Sequence, residues 1–348
     1  LFMSVDRTLQ KGISGLANLG NTCFINSTLQ CLSHTYELNQ SISDKNTNQL
    51  NKTVDSELLL NWIELKDILW KENCVISPKK FLFCVQHVAK EKDKDIFTGY
   101  AQNDLPEFIL FIMDAFHESL KREVNMNIIG IPKNDNDDIA ITCYNMMKTM
   151  YSKEYSEIIS LFYGVHITEL HSVEREEKIK FNAEPYFMID LPIPNIKNPS
   201  LIDCFDLYTK EEQLDESNRW FNEKTNEKEL VKRKITFFSL PEILIIDLKR
   251  FNVSLRKNHV YVDCPLNQLD LSKYVTGYKQ NDYVYDLYAV CNHMGSTNGG
   301  HYTSCVKVHD GSWFLFNDTN VSKINDENKV ITQNAYCLFY RKKKHSNI

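Results

Sequence analysis

Apolar positions in the first half of the chain recur with helical spacing. After Cys23 they fall at Phe24, Ile25, Thr28, Leu29 and Leu32, the three-and-four rhythm of one helix face. Residues 56–70, SELLLNWIELKDILW, predict a strongly amphipathic helix, and Pro78 opens another over about 78–90. The run YAQNDLPEFILFIMDAFHESLKREV predicts a long helix beginning near Asp104. Asp104 with Glu107 three residues on has capping-box spacing, and Pro106 is tolerated only in a first turn. Residues 139–160 read as helix again, and the polar stretches 41–55 and 131–138 read as loops.

After Ser160 the period shortens to two. LFYGVHITELHSV, KIKFNAE and YFMIDLPIP predict strands, and 203–217 a short helix before a highly charged stretch over 218–234. EILIIDLKRF (242–251) is apolar almost throughout, as a strand covered on both faces would be. YDLYAVCNHM (285–294) and GGHYTSCVKV (299–308) alternate, Asp310-Gly311 signals a hairpin turn, and SWFLFND (312–318) is its return strand. AYCLFYRK (335–342) closes the sheet. Helices first and antiparallel strands later argue for an α+β fold. With no internal repeat and no Pro/Gly linker, one multi-part domain is expected.

The 348 residues carry 43% hydrophobic and 25% charged positions and a net charge of −6. That balance fits a globular chain and disfavours a nucleic-acid binder, which shows a basic surplus. The ten cysteines are spread evenly, without a C-x-x-C pair. Reduced thiols in an intracellular protein are therefore expected, cytoplasmic or nuclear, rather than a disulfide framework. No apolar run approaches the ~18 residues of a membrane span, and no apolar stretch follows a basic start as in a signal peptide.

Candidate chemistry begins with Cys23, which stands where a helix begins, behind a loop containing Gly15, Asn18, Gly20 and Asn21. A helix N-terminus lowers a thiol pKa, and nearby amide donors are what an oxyanion hole requires. A buried structural cysteine is the competing reading. His301 follows Gly299 and Gly300 at the start of a strand, and His293 is a rival base without flanking glycines. If Asp310-Gly311 is a two-residue turn, His301 faces Asn320, and Asp318 lies diagonally on the same face. A bulge or longer loop shifts the pairing by one and brings Asn317 there instead. Either residue would orient the imidazole in a Cys-His-Asp/Asn arrangement. The Cys-before-His order matches papain-type enzymes, in which the gap is ~130–150 residues. Here it is 278 residues, so something large lies between.

Eight ordered segments carry a resemblance. GLANLGNTCFINSTLQCL resembles the cysteine box of the ubiquitin-specific proteases, and YAQNDLPEFI resembles their Q-Q-D-A-x-E-F box. LFYG, EPYFMIDLPIP, LPEILIIDLKRF, YDLYAVCNHMGSTNGGHYTSCVK, WFLFNDTNV and AYCLFYRK follow in the family's order, from about residue 12 to 342. The resemblance implies one catalytic domain over 12–342 with a papain-like core. A mainly helical thumb is expected over about 12–155, fingers and part of a palm over about 160–255, and the rest of the palm over about 256–342. It implies Cys23 as nucleophile, His301 as base, Asn317 as third residue with Asp318 as adjacent helper, and Asn18 as oxyanion donor. Asp104 and Glu107 match acidic residues that meet ubiquitin's basic tail. Gly299 and Gly300 would line a slot for its Gly-Gly end, and Tyr302 beside them is a further substrate-binding position. The implied activity is hydrolysis of lysine-linked ubiquitin conjugates, with ubiquitin and ubiquitinated proteins as partners. No cofactor, nucleic acid or membrane is expected, and a monomer is. A protease for another ubiquitin-like modifier and an inactive ubiquitin-binding scaffold are the alternatives.

The chain departs from the family in two places. Where many members carry two C-x-x-C zinc pairs, this chain has His171 and Glu174, then Asn222 and Thr225. Without thiolates no zinc is expected. The fingers would be held by packing alone, with His171 and Glu174 a solvated pair. The segment 252–264, NVSLRKNHVYVDC, matches a blocking loop over the tail channel, and its charges predict a mobile lid.

Overall fold

A computed structural model describes residues 11–43, 49–175, 178–222, 226–296 and 299–344. The start examined for a signal peptide and Thr225 lie outside the described residues.

The chain runs through β1 (Gly15–Leu16), α1 (Cys23–Ser33), α2 (Tyr36–Ser43) and α3 (Val54–Lys71). Then β2 (Val75–Ile76) pairs with β1, and α4 (Lys79–Glu91), α5 (Leu105–Leu120), α6 (Asp135–Glu154) and α7 (Glu157–Phe162) follow. Every residue of α1 is buried. A helix without a solvent face must satisfy its polar side chains internally. Asn26 Nδ2 donates to Asp318 Oδ1 at 2.7 Å, and Gln30 Nε2 donates to the Ser14 carbonyl at 2.8 Å.

The second half begins with β3 (Gly164–Ser172), β4 (Lys178–Tyr186), β5 (Met188–Pro192) and α8 (Leu201–Tyr208). It continues with β6 (Glu212–Gln213), β7 (Trp220–Asn222), β8 (Glu227–Glu229), β9 (Val231–Ser239) and β10 (Ile243–Lys249). It ends with β11 (Leu269–Asp270), β12 (Val284–Ser296), β13 (Gly299–Lys307), β14 (Trp313–Asn317), β15 (Asn320–Ile324) and β16 (Ala335–Lys342). The main sheet has the order β15-β14-β13-β12-β16-β10-β5, with β11 on β12, and only β10 and β5 run parallel. A four-stranded sheet, β4-β3-β9-β6, and the β7–β8 hairpin extend from it.

Alternation along the main strands makes two cores. Tyr302, Val306, Phe314 and Phe316 pack against the helices, while Val290, Cys305, Trp313 and Leu338 pack on the opposite face with α8. α6 covers the four-stranded sheet through Ala140 and Cys143, against Val165, Ile167 and Phe238. All ten cysteines are free thiols. Among the described residues, no helix is long and apolar enough to cross a membrane.

Several boundaries differ from the sequence expectation, each for a local reason. The helix expected over 139–160 is two helices. Tyr155 is extended, and Ser156 caps α7 by accepting from the Ile159 amide. The strand expected from 161 therefore starts at Gly164. The expected loop 131–138 already holds the first turn of α6, capped by Asn134 Oδ1 accepting from the Asn136 and Asp137 amides. The helix expected over 203–217 occupies Leu201–Tyr208, started by a Ser200–Asp203 capping box. At α5 the expected capping box is absent: Asp104 makes no capping side-chain bond and turns its carboxylate to the Tyr302 and Tyr336 hydroxyls.

Candidate active site

Three elements bring the candidate residues together. α1 presents Cys23 as its first residue, 2% exposed, with the thiol against the Tyr302 backbone of β13. Burial pushes the thiol pKa up. Hydrogen bonds from backbone amides oppose that, and the Asp318 charge adds to it. The helix terminus alone predicted the reverse sign. Desolvation outweighs it here, so the thiol pKa lies above its ordinary value.

The β13–β14 connection decides which of Asn317 and Asp318 meets His301. It is a three-residue loop, His309 to Gly311, with Gly311 donating to the Val308 carbonyl at 2.9 Å and taking φ +87°. A type I turn closed by a left-handed glycine has this length, and it moves the register one residue from a two-residue turn. Ser304 then pairs with Phe316, so Asn317 stands opposite Thr303 and diagonal to His301. His301 Nε2 lies 2.7 Å from Asn317 Oδ1. An amide oxygen only accepts, so the proton sits on Nε2 and Nδ1 is the basic nitrogen.

Asp318 turns elsewhere. With φ +50° it points its carboxylate at the first loop, where Oδ2 accepts from Asn18 Nδ2 at 3.0 Å and Oδ1 from Asn26 Nδ2. Its carbonyl accepts from the Leu16 amide at 2.9 Å. Asn18 Oδ1 in turn accepts from the Gly20 and Thr22 amides at 3.1 and 3.2 Å. Asp318 thus braces Asn18 rather than the histidine. The rival His293 is 3% exposed and stacked on Tyr302 with centroids 4.6 Å apart. Burial pushes its pKa down to about 4, so it is a neutral packing ring.

The expected tail-binding residues line the junction of α5 with the main sheet. The Tyr302 and Tyr336 hydroxyls both donate to Asp104, at 3.2 and 3.0 Å, and Glu107 is exposed one turn further along. Gly299 and Gly300 do not face an open slot. Gln102 spans the gap: its Nε2 donates to the Gly300 carbonyl at 2.7 Å, and its Oε1 accepts from the Gly300 amide at 2.8 Å. A Cβ on Gly300 would lie 2.3 Å from the Met294 carbonyl oxygen and 2.5 Å from His293 Nε2. Its first reason to be glycine is therefore its own strand partner. Gln102, Tyr336 and Asn26 were not foreseen. Each left a signal: Gln102 stands at the first Gln of the Q-Q-D-A-x-E-F box, Tyr336 lies in AYCLFYRK, and Asn26 is a polar residue in an apolar helix three residues after Cys23.

The expected metal positions are engaged otherwise. His171 Nε2 lies 3.3 Å from Glu169 Oε2, Glu174 is 3.8 Å from Arg219, and Asn222 Nδ2 donates to Glu229 Oε1 at 2.7 Å. His171 and Glu174 are not a pair, and packing alone does not hold this region. Arg175 donates to both Glu229 oxygens at 3.0 and 2.7 Å. Among the described residues, no group of three or more His, Cys, Asp or Glu could hold a metal ion. The blocking segment is also anchored. Arg250, 1% exposed, donates to the carbonyls of Ala335, Asn258 and Val260 at 2.6, 3.0 and 2.9 Å. Lys257 Nζ donates to the His293 carbonyl, while Val253 and Leu255 at the tip are among the most exposed large apolar side chains. Of the charges that suggested a mobile lid, Lys257 holds the segment to β12, and the main anchor is Arg250, which precedes it.

The family model described as "Ubiquitin carboxyl-terminal hydrolase" matches residues 14–340. The chain is 33% identical over 347 residues to Ubiquitin carboxyl-terminal hydrolase 2 of Bos taurus, covering 95% of this chain and 55% of that protein. It is 32% identical over 366 residues to Ubiquitin carboxyl-terminal hydrolase 21 of Homo sapiens, covering 96% and 62%. The chain thus spans just over half the length of the curated relatives it matches. The fold is similar to that of the SAGA Ubp8/Sgf11/Sus1/Sgf73 DUB module bound to ubiquitin aldehyde, with a TM-score of 0.72 and 24% identity. That match covers 96% of this chain and 70% of the other. With the α+β architecture and a family match running nearly end to end, the chain belongs to the ubiquitin carboxyl-terminal hydrolase family.

Proposed function

We propose that the chain is a thiol isopeptidase that hydrolyses the bond after the C-terminal glycine of ubiquitin on lysine-linked conjugates. The observation that carries this reading is the 2.7 Å contact of His301 Nε2 with Asn317, on the strand whose Tyr302 backbone meets the thiol of Cys23 at the start of α1. His301 Nδ1 takes the Cys23 proton, and the thiolate attacks the terminal carbonyl. Asn18, held by Asp318, and the amides around Cys23 stabilise the oxyanion. His301 returns the proton to the leaving lysine amine, then activates the water that releases ubiquitin. Asp104 and Glu107 supply carboxylates for the two arginines of the tail Leu-Arg-Leu-Arg-Gly-Gly, for which bidentate pairing is the strong mode. In this reading the tail passes Tyr302, Gly299 and Gly300, and its glycines displace the Gln102 amide. The enzyme works inside the cell, as a monomer and on ubiquitinated proteins, with side chains alone.

Incubation with ubiquitin bearing a C-terminal electrophile tests this. Wild type is expected to form a covalent adduct and Cys23→Ala none. An adduct in Cys23→Ala overturns the nucleophile, and ubiquitin binding without any adduct favours a scaffold. Reaction only with another Gly-Gly-ended modifier would reassign the substrate.

A further inference from the structure

On β10, Ile243 and Ile245 pack with the helices, while Leu244, Ile246 and Leu248 pack on the opposite face. Alternation therefore turns Asp247 to the face that holds Cys23, Tyr302 and Asp104. Asp247 is half-buried, and its Oδ1 is shut from solvent with no hydrogen-bond donor among the described residues. Asp190 stands directly beside it on β5. The basic residues next to Asp247 along the chain are engaged elsewhere. Lys249 Nζ meets Asp190 Oδ2 at 3.0 Å, and Arg250 donates to the carbonyls of Ala335, Asn258 and Val260. Burial, with the charges of Asp104 and Asp190, holds the Asp247 carboxyl well above the usual carboxylate range. A carboxyl oxygen buried near two other carboxylates and without a donor lacks a cationic partner.

Register gives the distance to the reacting centre. Asp247 pairs with Cys337, Cys337 with Cys291, and Cys291 with Ser304. Ser304 lies two residues along β13 from Tyr302, whose backbone meets the Cys23 thiol. The path is about 14 Å across the strands and about 7 Å along them, or about 16 Å directly. An extended tail Leu-Arg-Leu-Arg-Gly-Gly with its last glycine at Cys23 puts the arginine third from the end about 7 Å back and the arginine fifth from the end about 13 Å back. Only the fifth comes within one side-chain length of Asp247. We infer that Asp247 is a third carboxylate of the tail channel and binds the guanidinium of the arginine fifth from the end of ubiquitin. Asp104, held between Tyr302 and Tyr336, then faces the arginine third from the end. A guanidinium presents a fork of N–H donors, which supplies the donor that Oδ1 lacks. The inference rests on the isopeptidase reading.

The test measures the Kd of ubiquitin for the Cys23→Ala protein, with and without Asp247→Asn, so that no turnover is needed. Three ubiquitins are compared: the parent, one with glutamine for the arginine fifth from the end, and one with glutamine for the arginine third from the end. Asp247→Asn is expected to weaken binding of the parent about tenfold, the scale of one charge-assisted hydrogen bond. It should barely change binding of the ubiquitin lacking the fifth arginine, and should weaken the ubiquitin lacking the third by the full factor. Asp247→Ser, smaller and equally uncharged, is expected to give the same pattern, so the outcome does not hinge on one variant folding. No loss with the parent, an equal loss with all three ubiquitins, or coupling to the third arginine instead overturns the assignment of Asp247 and leaves the isopeptidase reading standing. Failure of the Cys23→Ala protein to bind ubiquitin overturns both.

Discussion

Cys23 owes its character to opposed local forces: the helix start favours the thiolate and burial favours the thiol, and burial wins. With the thiol pKa above its ordinary value of 9.0, the reactive fraction must grow as pH rises. Iodoacetamide inactivation is expected to accelerate about tenfold per pH unit from pH 6 to 8. A plateau beginning near pH 6 would instead mean a preformed thiolate–imidazolium pair. The adjacent Asn317 and Asp318 turn to different partners, Asn317 to His301 and Asp318 to Asn18 and Asn26. Asn317→Ala is expected to lower kcat roughly 10²-fold by freeing the imidazole. Asp318→Ala acts through Asn18, and losing that donor is worth roughly 10²-fold. Adding Asn18→Ala to Asp318→Ala should cost little more, because the two residues act in series. Additive losses would separate them. Both candidates could be named from the chain and the family resemblance favoured Asn317; a turn one residue longer than a two-residue turn gives Asn317 the contact with His301.

At the scale of elements, amphipathic period placed α3, α4 and α5, which bury one clear face, and alternation placed β12 and β13, whose two faces feed different cores. It failed where a side chain rather than the pattern ends an element, as at Ser156 between α6 and α7. Over 252–264, where the charges suggested a mobile lid, Arg250 and Lys257 anchor the segment. Arg250 is the element-scale hinge of that difference. Arg250→Ala orphans three carbonyls and opens a cavity, and is expected to cost about 3 kcal/mol in thermal or denaturant unfolding. Arg250→Lys should recover little, since one ammonium cannot reproduce the fork of bonds. Full rescue by lysine would show that charge alone matters.

Across the whole molecule, the four-stranded sheet and β7–β8 hairpin project from two cores without a metal cluster among the described residues. The mostly buried Glu229, held by Arg175 and Asn222, ties β8 to the turn after β3. Glu229→Ala and Arg175→Ala are each expected to cost about 2 kcal/mol in denaturant midpoint measurements, and the pair together less than the sum. A chelator should leave that midpoint unchanged. A chelator-sensitive midpoint would reassign the region.

The chain by itself determined the order of helices and strands, the α+β class, and the residue types able to carry thiol chemistry. Those follow from period, turn residues and short-range spacing, all local properties. Only the tertiary structure decided that Asn317 meets His301 while Asp318 meets Asn18, that Gln102 bridges to Gly300, and that Arg250 pins the blocking segment. Each of these joins residues tens to hundreds of positions apart or turns on a one-residue change in register. No local pattern encodes a hydrogen bond between distant elements until packing has set their separation.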